Sequence, residues 1–121
     1  MFKAAIPVLH VSSAAAAEEF YCKRLGFQQT FAYRFDDRQP DPCYMGLIRD
    51  DVRLHVSSFS GDGVPGGVVF LVVEDVDKLH DELKAKGVTI DLEPTDQSWG
   101  NREMYVTDKD NNSIRFVHAG S

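Results

Sequence analysis

The stretch FYCKRLGF, residues 20–27, decides the fold that is predicted for this chain. It closes an amphipathic helix predicted over Ala14–Leu25, which carries acidic residues early and basic residues late, as the helix dipole favours. Ser12 and Ser13 precede the helix and offer capping oxygens. Gly26 ends it, because glycine readily adopts the left-handed conformation that follows many helices.

The pattern around this helix returns in the second half of the chain. Gly87 lies 61 positions after Gly26 and ends a second predicted helix over Val76–Lys86, for which Asp75 is the N-cap. One strand is predicted before each helix and three strands after it, so each half is a βαβββ unit. In chain order, the predicted strands are Ile6–Val11, Phe27–Phe35, Cys43–Arg49, Val52–Ser58, Val68–Val73, Thr89–Leu92, Glu103–Thr107 and Ser113–His118.

The two repeats cover residues 1–60 and 66–121, and a segment rich in Gly, Ser and Pro, 59–67, links them. Each repeat has too few residues to bury a core alone. We therefore expect one α+β domain over residues 1–121, in which the repeats pack against each other or against a second chain. Pro7 cannot donate a ladder hydrogen bond, which suits a sheet edge or a place where the chain leaves its own subunit.

Charge and composition exclude several classes of function. The 121 residues include 13 Lys and Arg and 19 Asp and Glu, which gives a net charge of −6 with neutral His. Such a chain repels phosphate backbones, and no apolar run approaches the ~18 residues of a membrane span, so we expect no binding to nucleic acid or membrane. The N-terminal stretch is a poor signal peptide, and two cysteines cannot form a disulfide framework. These features predict a cytoplasmic protein with reduced thiols.

Five segments of the chain are similar, in the same order, to segments of a known family. They are AIPVLHV (5–11), FYCKRLGF (20–27), IRDDVRLHVS (48–57), SWGNRE (98–103) and DKDNNSIRFV (108–117). Together with the βαβββ repeat they resemble the vicinal oxygen chelate superfamily, the group of glyoxalases, bleomycin resistance proteins and dioxygenases. The finer resemblance is to its bleomycin-binding members, and it covers essentially the whole chain.

The resemblance implies both a fold and an assembly. Each repeat is expected to curl into a half-barrel, and two chains are expected to form a homodimer with two ligand clefts at the interface. The N-terminal strand is often exchanged between the subunits of such relatives. The proline of their first strand matches Pro7, which is therefore the candidate hinge for strand exchange.

A metal site separates the enzymes of this superfamily from its binding proteins. Metal-dependent members carry His or Glu at four strand positions, and these positions align here with Ile6, His55, Val68 and Arg115. Only His55 can be a ligand, whereas a divalent site needs three or four converging N or O donors. We therefore expect no catalytic metal and no other cofactor. The alternative is a one-residue shift of a strand, which would turn His10 inward.

The resemblance also assigns a ligand cleft. Phe31, Tyr44 and Trp99 align with aromatic residues that line the cleft of bleomycin-binding relatives, and three further residues lie near the same segments. The predicted ligand-binding residues are Phe31, Phe35, Tyr44, His55, Phe59 and Trp99. Stacked aromatic faces suit the planar bithiazole of bleomycin, and acidic loops suit its cationic tail. The acidic loop residues are Asp36, Asp37, Asp41 and Asp62.

The sequence therefore predicts a homodimer that binds and sequesters bleomycin-family glycopeptide antibiotics without catalysis and so confers resistance. The protein itself is expected to need no cofactor, although the ligand can carry copper. Two alternatives stay open. One is a metal-dependent glyoxalase- or dioxygenase-like enzyme of the same superfamily, and the other is a binding protein for a different aromatic antibiotic.

Overall fold

The computed structural model describes residues 1–120 and contains two four-stranded sheets. Sheet A contains β1 (Val8–His10), β2 (Gln28–Arg34), β3 (Cys43–Arg49) and β4 (Val52–Ser57), in the order β1-β4-β3-β2. Sheet B contains β5 (Val68–Val72), β6 (Leu92–Asp96), β7 (Asn101–Thr107) and β8 (Ser113–Ala119), in the order β5-β8-β7-β6. In each sheet the first strand pairs in parallel with the last, and the other pairs are antiparallel. The predicted α+β fold of two βαβββ units is confirmed.

Helix α1 begins as an α-helix over Ala14–Ala17 and continues as a wider π-helix over Glu18–Arg24. The hydroxyl of Ser13 caps its start by accepting a hydrogen bond from the Ala16 N–H at 3.2 Å. Gly26 follows the helix at a φ of 82°, which a residue with a side chain rarely adopts. The predicted start and stop signals are therefore correct, although the widening of the helix was not predicted.

Helix α2 covers Val76–Ala85. Asp75 caps it, as predicted, by accepting a hydrogen bond from the Lys78 N–H at 3.0 Å, and Gly87 follows it at a φ of 78°. Neither helix, nor any other within residues 1–120, is long and apolar enough to cross a membrane.

The strand predicted over Thr89–Leu92 is wrong, because β6 begins only at Leu92 and continues to Asp96. Val88 is buried and Ile90 packs against the core, so the apolar character of this stretch reflects core packing rather than a sheet ladder. The strand itself contains Pro94 and an irregular register. It lies at the edge of sheet B, where a missing N–H is tolerated.

The inner faces of the two sheets and both helices contribute to one hydrophobic core. Leu54 and Val56 come from sheet A, Met104 and Ile114 from sheet B, and Tyr21 from α1, and all five are fully buried. Because side chains alternate along a strand, the other face of each sheet points away from this core. These two outer faces are called the open faces of sheet A and sheet B below, and they carry the predicted ligand-binding residues.

Polar contacts tie the two repeats together across the core. The Tyr21 hydroxyl in the first repeat donates to the Asp108 carboxylate in the second at 2.6 Å. The Asn112 side chain donates to the His10 carbonyl at 2.8 Å. On the other side of the molecule, Arg49 binds Glu82 of α2 through two hydrogen bonds of 2.8 and 2.9 Å. These bonds hold the open faces of the two sheets in fixed relative positions.

Candidate ligand-binding site

Three predicted residues form an aromatic cluster on the open face of sheet A. The rings of Phe31 and Tyr44 are stacked, with centroids 6.1 Å apart and planes at 13°. His55 meets the Phe31 ring edge-on at 5.5 Å, and its Nδ1 lies 2.7 Å from the Tyr44 hydroxyl oxygen. Gly46 pairs with both Phe31 and His55, and a Cβ at this position would lie 2.2 Å from the Phe31 ring. A glycine in the middle of β3 thus makes room for the cluster.

The same face carries a second stacked pair, made by Tyr33 and Phe59 with centroids 6.0 Å apart. Tyr33 was missed in the sequence, although the alternation of Phe31, Tyr33 and Phe35 places all three on one face of a strand. Phe35 lies just beyond β2, is highly exposed and makes no aromatic contact within the described part of the chain. The open face of sheet A is therefore an aromatic surface that extends past the end of β2.

The polar groups within this aromatic surface are uncharged at neutral pH. Burial, helped by the charge of Arg53, lowers the pKa of His55 below its ordinary value. Burial, helped by the charge of Asp62, raises the pKa of Tyr44. Asp62 also accepts a hydrogen bond of 2.7 Å from the Ser57 hydroxyl, so one predicted acidic residue does border this surface. The surface suits an aromatic group that has a cationic neighbour.

Trp99 lies on sheet B, away from the other predicted residues. It belongs to the turn between β6 and β7 and is 64% exposed. Its indole N–H donates to the Glu103 carboxylate at 2.8 Å, and the Tyr105 hydroxyl donates to the same carboxylate at 2.5 Å. The guanidinium of Arg115 lies over the Tyr105 ring, 4.8 Å from its centre. Sequence reasoning did not assign Glu103 or Tyr105 to the site.

The open face of sheet B also carries an apolar strip along β5. Val68, Phe70 and Val72 alternate with buried residues and are 53–69% exposed. Phe70 pairs with Arg115 in the sheet. The continuous apolar run of β5 is typical of a strand that is buried on both faces. Here one face of β5 is instead exposed.

The predicted residues therefore form two groups within one chain. Phe31, Tyr44, His55 and Phe59 belong to sheet A, and Trp99 belongs to sheet B. Within residues 1–120, no aromatic contact joins Trp99 to the sheet A group. The contacts inside a single chain therefore do not form a cleft that has aromatic groups on two opposing walls.

The residues at the metal positions of the superfamily do not fit a divalent metal. Ile6 precedes β1, where Val8 is the residue that pairs with His55, and in sheet B Arg115 pairs with Phe70, two residues after Val68. Either set offers a single His beside apolar side chains and a cation, whereas a metal needs several N or O donors. His10 lies on β1 two residues after Val8, and its Nδ1 is 3.2 Å from the Asp62 carbonyl oxygen. In residues 1–120, no three His, Cys, Asp or Glu side chains form a group that could hold a metal.

Two of the acidic loop residues have structural contacts. The Asp41 carboxylate accepts hydrogen bonds from the Ala14 N–H at 2.9 Å and from the Ser58 hydroxyl at 2.7 Å. Asp36 binds Arg38 within the same loop. Of the four predicted acidic residues, only Asp62 borders the aromatic surface, by accepting a hydrogen bond from Ser57 of β4.

A separate cleft of about 520 Å³ lies between the β3–β4 turn and the start of α2. Its lining includes Asp51, Val72, Leu79 and Glu82, and it contains none of the predicted ligand-binding residues. This cleft is therefore distinct from the aromatic surface of sheet A.

Comparison with known proteins agrees with the fold and the sequence segments. The family described as glyoxalase superfamily protein matches residues 1–120, and the chain belongs to this superfamily. It is 29% identical to a bleomycin resistance protein of Geobacillus stearothermophilus, over 92% of both chains. It also resembles the crystal structure of a bleomycin-binding protein complexed with bleomycin, with a TM-score of 0.76 and 22% identity, over 97% of this chain and 98% of that chain.

A further similar structure is a bleomycin resistance determinant encoded on the transposon Tn5, with a TM-score of 0.77 and 23% identity over 98% of both chains. The family predicted from the five sequence segments is thereby confirmed. The structural likeness also confirms the fold of two half-barrel repeats.

Proposed function

We propose that this protein binds bleomycin-type glycopeptides in clefts at a homodimer interface, and sequesters them without transforming them. The observation that carries the proposal is the pair of aromatic open faces, one with Phe31 and Tyr44 and the other with Trp99. Such faces suit a planar aromatic ligand, because offset stacking adds about 0.5–1.5 kcal/mol per ring pair beyond area burial. The names of the relatives, which include bleomycin resistance and bleomycin-binding proteins, support this ligand class.

A second copy of the chain is the partner that best completes the cleft. Val68, Phe70 and Val72 form a continuous exposed apolar strip rather than isolated apolar residues, which suits contact with another protein surface. When the open face of sheet A from one subunit meets the open face of sheet B from its partner, Phe31 and Trp99 line opposite walls. A twofold axis then repeats the arrangement, so a dimer has two equivalent clefts.

The start of the chain suits exchange of the N-terminal segment in such a dimer, with Pro7 as the hinge. The Pro7 carbonyl accepts a hydrogen bond from the His55 N–H at 2.9 Å, so the chain joins sheet A at this point. Met1 and Phe2 are fully exposed, and β1 begins only at Val8. Exposed apolar side chains before a proline favour contact of this segment with the partner subunit.

Electrostatics favour a cationic ligand that is bound without chemistry. The net charge of −6 attracts a cation, and Asp62 lies beside the aromatic surface of sheet A. Burial raises the pKa of Cys22 and Cys43, so both thiols stay protonated and are poor nucleophiles. Both cysteines are free, which supports a reducing compartment such as the cytoplasm.

Titration with bleomycin tests this function. Trp99 is the only tryptophan, so its fluorescence reports on the site directly. We expect metal-free or copper-bound bleomycin to quench the fluorescence saturably at micromolar protein, with one ligand per chain. Mass spectrometry of the released ligand is expected to show unchanged bleomycin.

Two results would contradict the proposal. One concerns the ligand class, and the other concerns binding without catalysis. Unquenched Trp99 fluorescence with both forms of bleomycin would reject this ligand class and favour another aromatic antibiotic. A stoichiometric divalent metal held by His10 or His55 in the ligand-free protein, measured by elemental analysis, would reject the binding-only function and favour a metal-dependent enzyme.

A further inference from the structure

A single hydrogen bond holds the side chain of Trp99. The backbone of its turn is fixed by hydrogen bonds from the Gly100 N–H to the Gln97 carbonyl at 3.0 Å and from the Gln97 N–H to the Asn101 carbonyl at 2.7 Å. The indole itself is largely exposed and has no aromatic neighbour within residues 1–120. Its one hydrogen bond is the 2.8 Å contact with Glu103.

The Glu103 carboxylate is well suited to hold this ring. It is only 2% exposed, and its two oxygens accept separate hydrogen bonds from Trp99 and Tyr105. The hydrogen bond from Tyr105 and, to a smaller degree, hydrogen bonds from the side chains of Trp99 and Asn101 and the charge of Arg115 lower the pKa of Glu103, although burial opposes them. An ionised carboxylate accepts stronger hydrogen bonds than a neutral group, and rotation of the indole would leave one of its oxygens without this partner.

We infer that Glu103 is a positioning residue, which fixes the indole plane of Trp99 in the orientation that receives the aromatic part of the ligand. Glu103 is only 2% exposed and already accepts hydrogen bonds from Trp99 and Tyr105, so it acts through Trp99 rather than by binding the ligand directly. A ring that is oriented before binding loses less side-chain entropy when the ligand arrives, and this raises affinity. For its ligand the inference rests on the proposed function, whereas the orientation of Trp99 is a property of the free protein.

The free protein tests the orientation directly, because Trp99 is the single fluorophore of its kind. In Glu103→Leu, time-resolved anisotropy is expected to show a larger amplitude of fast local motion of Trp99 than in the wild type. Glu103→Gln keeps an oxygen that can accept from the indole and is expected to restore most of the rigidity. Leu fills a similar volume, and the released Trp99 and Tyr105 groups can reach water, so we expect both variants to fold; circular dichroism checks this.

Calorimetric titration with metal-free bleomycin tests the effect on binding. Glu103→Leu is expected to weaken affinity about three- to tenfold, while Glu103→Gln retains most of it. In a Trp99→Phe background, which has no indole N–H, the further change Glu103→Leu is expected to leave affinity unaltered. This double-mutant cycle separates positioning from a general structural role, since a structural role would lower affinity in both backgrounds.

The two proposals fail in different ways. If wild-type protein does not bind bleomycin, the proposed function is wrong, and the anisotropy experiment still decides whether Glu103 orients Trp99. If Glu103→Leu leaves the motion of Trp99 unchanged, or if the two substitutions are additive in the cycle, the inference about Glu103 is wrong even when bleomycin binds.

Discussion

The buried carboxylate of Asp108 links its own turn in the second repeat to Tyr21 in the first. It accepts four hydrogen bonds, from the Tyr21 hydroxyl, from the backbone of Asp110 and from both the backbone and the side chain of Asn112, at 2.6–2.9 Å. Tyr21 is fully buried, and its burial beside Asp108 raises the pKa of its phenol strongly, so it stays a donor at any physiological pH.

Tyr21→Phe is therefore expected to lower the free energy of unfolding by about 1–2 kcal/mol, because it removes the donor and keeps the ring. Urea denaturation of the two proteins measures the difference. Tyr33→Phe is the matched control, since the Tyr33 ring is largely exposed, and its stability is expected to change by less than about 0.5 kcal/mol. An equal effect of the two substitutions would show that the Tyr21 hydroxyl contributes nothing specific.

The bond between Arg49 and Glu82 adds a pH-dependent contact between the repeats. The hydrogen bonds from Arg49 lower the pKa of Glu82, so the folded protein binds this proton less tightly than the unfolded chain. The contribution to stability is therefore complete above the ordinary Glu pKa of about 4.3 and is lost as the pH falls through the lowered folded value.

We expect Glu82→Gln to be less stable than the wild type at pH 7, by less than about 1 kcal/mol because both side chains are about one-third exposed. The difference is expected to shrink as the pH falls below the ordinary Glu pKa and to disappear once Glu82 is protonated in the folded protein. Urea denaturation at several pH values measures this, and a difference that persists unchanged at low pH would contradict the role given to the ion pair.

At the scale of elements, Gly46 shows that a side chain on a neighbouring strand can determine which residue fits at a position of β3. The Phe31 ring lies over Gly46, where a Cβ would meet two ring atoms at 2.2 and 2.6 Å. Gly46→Ala is thus expected to displace Phe31 from Tyr44 and to destabilise the protein by about 1–3 kcal/mol. Thermal unfolding and bleomycin quenching of Trp99 measure the two effects.

A second substitution makes this prediction specific. Phe31→Ala removes the two closest atoms that a new Cβ at position 46 would meet and leaves the Thr30 hydroxyl oxygen at 2.7 Å, so adding it to Gly46→Ala is expected to recover part of the lost stability. If Gly46→Ala is equally damaging without the Phe31 ring, the cost does not arise from crowding with Phe31.

The elements that were predicted correctly are those whose ends depend on residues close in the sequence. Asp75 and Gly87 bound α2 through contacts with their immediate neighbours, so the sequence contains the whole signal. The strand placed over Thr89–Leu92 failed because an apolar stretch that packs into the core has the same composition as a strand. The exposure of Phe70 was not predictable either, since a continuous apolar run does not say which face another molecule covers.

At the scale of the whole molecule, the sequence predicts candidate site residues but not how they are arranged in space. Phe31, Tyr44 and His55 come together because their strands are neighbours in sheet A, which the repeat implies. Trp99 lies on the other sheet, and the role of Glu103 appears only when the turn folds back over β7. The proposed contact between the open faces of two subunits has no signal in the sequence of one chain.

The oligomeric state is the property on which the two-walled cleft depends. We expect size-exclusion chromatography with light scattering to give twice the mass of one chain at micromolar concentration. Phe70→Asp places a charge in the middle of the exposed strip of sheet B, and it is expected to yield monomers that no longer bind bleomycin tightly. Val64→Asp, at a more exposed apolar position in the link between the repeats, is the control and is expected to remain dimeric. A wild-type monomer that binds bleomycin would contradict the interface, because Phe31 and Trp99 then could not act as opposite walls of one cleft.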